Sequence, residues 1–187
     1  MIQVYDQITI DRIKTLHPKI RQQVLEAYLY INNKLLGKGV RLRFAYTYRS
    51  PQEQNKLYQY GRTVFFDEAG NRKGKVTNAQ AWGSFHQYAL AFDIVLLLDK
   101  DLNGTFEVAS WDTVKDFDKD GQSDWMEVVN YLKSLGFEWG GDWKKFKDKP
   151  HFQKVFGYTT KQLYSKIKNK DYFTEIINGQ EIKYVNI

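Results

Sequence analysis

The stretch Ser84–Leu98, SFHQYALAFDIVLLL, decides how the rest of the chain is read. From Ala91 to Leu98 every residue is apolar except Asp93, which is the pattern of a short strand buried on both faces. A lone carboxylate in such a strand costs several kcal/mol unless a partner or a metal ion compensates it. Whatever compensates Asp93 therefore lies at the chemical centre of the molecule.

Seven residues before Asp93 stands His86, and the chain has only two other histidines, His17 and His151. His151 lies in GFEWGGDWKKFKDKPHFQ (Gly136–Gln153), with Asp148 three residues earlier and Pro150 directly before it, so its backbone is extended or turned. Two imidazoles and one carboxylate are the ligand set of an open zinc site that keeps a fourth position for water. Spacing alone leaves a plainer alternative open, a hydrogen-bonded His–Asp pair without metal and Asp148 as a surface-loop charge.

The flanking sequence reads as follows. Pro18 to Leu36 has apolar residues at helical spacing and is closed by Gly37 and Gly39, which predicts a helix packed on the core. Arg41–Arg49 alternates as a half-buried strand. Ser50, Pro51 and Glu53 then make a capping box with proline at the first helical position, predicting a helix to about Tyr60 and placing Arg49 at a strand-to-helix junction. Phe66–Gln80 is a polar loop long enough to border a cleft. After a second polar segment, Asp99–Ser123, helices are expected over Trp125–Leu135 and Thr160–Lys168, and a hairpin turns at Asn178-Gly179.

Ser84, His86, Ala91 and Asp93 resemble the S-x-H-x-x-G-x-A-x-D motif of the zinc peptidases that cut peptidoglycan stem peptides, a family of D-alanyl-D-alanine carboxypeptidases, VanY-type enzymes and L-alanyl-D-glutamate endopeptidases. Gly140-Gly141-Asp142-Trp143 through Phe146, Asp148, Pro150, His151, Phe152 and Gln153 resembles the endopeptidase branch, and Tyr48-Arg49-Ser50 with Gln54, Leu57 and Gly61-Arg62 is a third match to the family. The match covers about residues 10 to 155. The resemblance implies an α+β fold with a central, mainly antiparallel sheet flanked by helices and a zinc site on its open face. It implies that His86, Asp93 and His151 bind zinc, that Asp148 is the general base, and that Arg49 binds the substrate carbonyl or a stem-peptide carboxylate and stabilises the developing negative charge. Ser84 would orient a ligand or its turn. The D-K-P-H context favours the L-Ala-D-Glu bond, with D-Ala-D-Ala carboxypeptidase and a non-catalytic wall-binding module as the alternatives. One position departs: the motif's glycine is Ala89, which would be strained if the turn needs positive φ.

A second metal pattern lies in Asp116–Glu127, DFDKDGQSDWME. Asp116, Asp118, Asp120, Asp124 and Glu127 stand at calcium-loop positions around Gly121, although Ser123 replaces the usual apolar residue and no entering helix is visible. The alternative is a solvated acidic turn.

Composition bounds the rest. The 187 residues, 42% hydrophobic and 16% aromatic, suit one domain, with a peptidase core over about 10–155 and a helix and hairpin over 156–187. With no cysteine, neither disulfides nor thiolate metal sites are available. The net charge of +6 favours a polyanion, whether nucleic acid, anionic membrane or cell-envelope polymer, and does not choose among them; Lys144, Lys145, Lys147, Lys149 and the lysines near the last helix read as a solvated face or as a contact for anionic wall polymers, and no nucleic-acid module pattern is present. The polar beginning MIQVYDQITIDRIKTLHPKIRQQ has no signal-peptide core, and no run suits a membrane span. The expectation is a monomer made soluble that meets the wall after release or export.

Overall fold

A computed structural model describes residues 6–187, so the first five residues of that polar beginning lie outside the described residues. The chain forms two compact units: one holds residues up to Thr47 together with Ala91–Lys154, the other Tyr48–Leu90 and Val155–Ile187.

The first unit carries helices α1 (Gln7–Lys14) and α2 (Pro18–Tyr30), strands β1 (Val40–Tyr46), β2 (Ala91–Leu98) and β3 (Val108–Ser110), helix α4 (Asp124–Ser134), and strands β4 (Glu138–Trp139) and β5 (His151–Gln153). All its strand pairs are antiparallel, in the order β1-β2-β5-β4 with β3 on β2. The fold is α+β, with an antiparallel sheet flanked by helices. β2 is the central strand and is buried throughout except at Asp93, because both of its faces are covered. One face carries a stack of rings: Phe92 lies against Phe44 at 4.6 Å between centroids and against Phe152 at 5.6 Å. Helix α2 buries Ile20, Val24, Ala27 and Tyr28, and Tyr28 meets Phe44 edge-on. The expected helix to Leu36 is present, its last turn widened over Ile31–Leu35. Helix α1 and the short strands β3, β4 and β5 were not among the expected elements; segments of two or three residues are too short to show a period.

The second unit holds α3 (Pro51–Gln59), a one-turn helix at Phe85–Tyr88, α5 (Thr160–Lys168) and the hairpin β6 (Tyr172–Ile177) and β7 (Gln180–Val185). Both halves of the capping box of α3 form: the Glu53 N–H donates to Ser50 Oγ at 3.1 Å and the Ser50 N–H to Glu53 Oε2 at 2.7 Å. Asn178 and Gly179 both have positive φ, as a two-residue hairpin turn of this kind requires. No described helix is long and apolar enough to cross a membrane.

Candidate functional site

In the first unit, strand register brings two of the expected ligands together. β2 and β5 pair with Asp93 opposite His151, so both side chains rise from the same face of the sheet, and Asp93 Oδ1 lies 3.1 Å from His151 Nδ1. The other ring nitrogen, Nε2, lies 3.0 Å from Gln153 Oε1, and the Gln153 amide N–H2 donates to Glu138 Oε2 at 2.9 Å. This chain of partners has a chemical result. Glu138 accepts from the Gln153 amide and so leaves the Gln153 oxygen facing His151 Nε2: a neutral ring protonated there presents its Nδ1 lone pair towards Asp93, whereas the protonated ring donates to Asp93 as well. His151 is 5% exposed. Burial pulls its pKa down, but the hydrogen bond and charge of Asp93, then Gln153 and Asp148, outweigh this and raise it above the ordinary imidazole value.

Asp148 is half-buried and is placed by its backbone. Its N–H donates to the Gly140 carbonyl at 3.0 Å, and its own carbonyl accepts the His151 N–H at 3.1 Å. The two glycines of the motif are explained by close approach: a Cβ on Gly140 would stand 2.4 Å from the Asp148 carbonyl oxygen, and one on Gly141 2.2 Å from the Trp139 ring. Trp139 is anchored by its indole N–H, which donates to the Lys149 carbonyl at 2.6 Å. The Trp143 ring lies 5.2 Å from that of His151.

The second unit holds His86 and Arg49. His86 is 2% exposed in the turn Phe85–Tyr88, which Ser84 caps by accepting the His86 N–H at 3.4 Å, while the Ser84 N–H donates to Gln87 Oε1. Ser84 thus shapes the turn. The residue that closes it, Ala89, adopts φ 57° and ψ 28°, the left-handed conformation for which the motif's glycine is suited. The Arg49 N–H donates to the His86 carbonyl at 3.3 Å, and Arg49 Nη1 donates to Gln54 Oε1 at 3.0 Å. Gln54 is fully buried; it also accepts from Gln87 and donates to Thr77 Oγ1 and the Ala79 carbonyl. Sequence reasoning assigned no role to Gln54 or Gln153, which contact Arg49 and His151. Both stood inside the quoted motifs, and only their partners reveal what they do.

Three sets of side chains among the described residues could hold a metal ion: His86, Asp93 and His151; Asp116, Asp118 and Asp124; and Asp118, Asp120 and Glu127. The last two belong to the expected calcium loop. There burial, with the surrounding carboxylates, pushes Asp124 up to about 6 and Glu127 up to about 7. The lysines beside Asp148 are partly engaged, Lys147 with the Gly141 carbonyl and Lys149 with Thr113 Oγ1.

Residues 77–154, which span His86, Asp93, Asp148 and His151, match a family profile described as D-alanyl-D-alanine carboxypeptidase. The peptidoglycan L-alanyl-D-glutamate endopeptidase CwlK of Bacillus subtilis is 39% identical over 141 residues, 75% of this chain and 74% of that protein. The chain belongs to this peptidase family. An L-alanyl-D-glutamate peptidase of a Listeria phage is 36% identical over 83 residues, 44% of the chain and 25% of that longer protein. Among solved structures, the L-Ala D-Glu endopeptidase ChiX of Serratia marcescens aligns over 80% of the chain and 87% of its own, at 22% identity and a TM-score of 0.48.

Proposed function

We propose that this peptidase hydrolyses the L-alanyl-D-glutamate bond of peptidoglycan stem peptides, with zinc held by His86, Asp93 and His151 and with Asp148 as general base. The observation that carries the reading is the pairing of Asp93 and His151 across β2 and β5, with the His151 tautomer set by Gln153 and Glu138. A neutral imidazole lone pair facing a carboxylate oxygen at 3.1 Å is a pair of donors ready for one cation, and two imidazoles with one carboxylate and no thiol suit zinc. The choice of bond is supported by the D-K-P-H sequence at the base and by the two relatives named for that activity.

Zinc bound there supplies a Lewis acid for the scissile carbonyl and lowers the pKa of an attacking water towards ~7. The residues do the rest. Asp148 takes a proton from the attacking water and returns it to the leaving amine, and its hydrogen bonds to Gly140 and His151 hold it in one tight turn with a ligand. Arg49, its guanidinium held by Gln54, faces the negative charge that develops on the carbonyl oxygen or binds a carboxylate of the stem.

Purified peptidoglycan incubated with the zinc-loaded protein should yield new D-Glu amino termini by mass spectrometry. Loss of terminal D-Ala would assign the carboxypeptidase reaction instead, and no product would assign a binding module. Asp148→Ala should lower the cleavage rate by at least ~100-fold with zinc content unchanged; activity near wild type would remove Asp148 from the mechanism.

A further inference from the structure

The loop Asp116–Glu127 places five carboxylates together and takes two of them out of water. Asp124 is fully buried and Glu127 is 8% exposed. One oxygen of Asp124, Oδ2, accepts the Phe117 N–H at 2.6 Å; its other oxygen, Oδ1, and Glu127 Oε2 are buried without any hydrogen-bond partner. The ligand atoms of Asp116, Asp118 and Asp124 lie within 4.8 Å of one another, as do those of Asp118, Asp120 and Glu127, and Asp118 belongs to both sets. Burial apart, Glu127 is acted on by the loop's four other carboxylates and Asp124 by the Phe117 N–H and by Asp118, and none of the five forms an ion pair with Lys or Arg among the described residues. Unpaired carboxylate oxygens buried beside further carboxylates are a costly arrangement for a protein alone. A divalent cation between them reverses the sign of the interaction.

The backbone is shaped to the same end. Gly121, at the sixth position, has φ 96°, and Lys119 has φ 66°. Asp116 accepts the N–H groups of Lys119 and Gly121 at 2.6 and 2.9 Å, which curls the loop over its first carboxylate. Asp118 Oδ2 accepts the Gly37 N–H at 2.6 Å and ties the loop to the turn before β1. Ser123, the residue that departs from the calcium-loop pattern, caps α4 by accepting the Met126 N–H and donates to the Thr113 carbonyl. The segment before Asp116 is irregular rather than helical, so the loop has only its exiting helix, α4.

We propose that Asp116, Asp118, Asp120, Asp124 and Glu127 form a calcium site, separate from the zinc ligands, that closes the N-terminus of α4. The donors are all oxygen, which selects a hard cation, and five carboxylates on a flexible loop suit the high coordination number of calcium better than the small octahedron of magnesium. The proposal stands apart from the peptidase reading, because its readouts are stability and ion binding rather than cleavage.

The test uses the full chain, stripped of metal and reloaded with zinc, and follows thermal unfolding with added CaCl2 or MgCl2, together with terbium luminescence sensitised by the neighbouring Trp125. Calcium at about 1 mM should raise the Tm by several degrees and displace terbium. Glu127→Gln and Asp120→Asn should each lose that rise while unfolding, without calcium, no earlier than wild type, since each removes a charge from a repelling cluster. Two variants at separate positions of the loop keep the result readable if one folds poorly. A wild-type Tm indifferent to calcium up to ~10 mM, an equal rise with magnesium, or a rise undiminished in both variants would overturn the site.

Discussion

Ala89 is the residue at which sequence and structure meet most sharply. Its φ of 57° is the left-handed conformation, which costs an L-residue about 1–2 kcal/mol relative to glycine. Its methyl group is fully buried in a cluster with Ile182 and Tyr184 of β7, against which Tyr48 and Ile177 also pack. Burying one methyl contributes ~0.8 kcal/mol, and alanine restricts the unfolded chain by a further ~0.4–1 kcal/mol relative to glycine. The two sides nearly cancel. Ala89→Gly should therefore change stability by less than ~1 kcal/mol, while Ala89→Val, β-branched at positive φ in a filled space, should cost more than ~2 kcal/mol; thermal unfolding of both checks this. The turn's need for positive φ was legible in the motif, which expects glycine. What offsets the strain was not, because β7 lies far along the chain and contributes only once folded.

At the scale of elements, the capping signals read well and the short strands did not. Ser50-Pro51-x-Glu53 and Asn178-Gly179 carry their own local chemistry, so α3 and the β6–β7 turn stand where the sequence puts them. β4 and β5 are two and three residues long and exist only because β2 pairs with β5 and β5 with β4. That pairing gives His151 its place opposite Asp93. It also depends on the turn Gly140–Asp142, which leads from β4 towards Asp148. In Gly140→Ala the new methyl would meet the Asp148 carbonyl oxygen at 2.4 Å, a backbone atom that cannot swing aside, so the Asp148 turn must shift. Displacing a catalytic group by about 1 Å can cost ~100-fold in rate, and the variant should lose 10- to 100-fold in kcat by about that reasoning, together with stability. Steady-state cleavage beside a melting curve separates the two effects.

At the scale of the whole molecule, each compact unit is assembled from two distant stretches of chain. The helix and hairpin after Val155, expected as an appendage to a core over about 10–155, share a unit with Tyr48–Leu90, in which His86 and Arg49 stand. Deleting residues 170–187 removes Ile182, Tyr184 and Val185, all fully buried, and strips the cover from Ala89. The shortened chain should melt at markedly lower temperature and, through the loosened Phe85–Tyr88 turn, bind zinc at least ~10-fold more weakly in a chelator competition; unchanged affinity would detach the hairpin from the site. The sequence by itself singled out the residues to which the chemistry is assigned here, because His, Asp and Arg in long spaced motifs are chemical types that no packing alters, and it determined the helix caps, because those are local hydrogen bonds. Only the tertiary structure decided that Asp93 and His151 face each other, that Gln153 and Glu138 set the imidazole and Gln54 holds Arg49, and that Asp124 and Glu127 are buried without partners. Those are properties of strand register and of solvent exclusion, and both arise only when distant parts of the chain pack together.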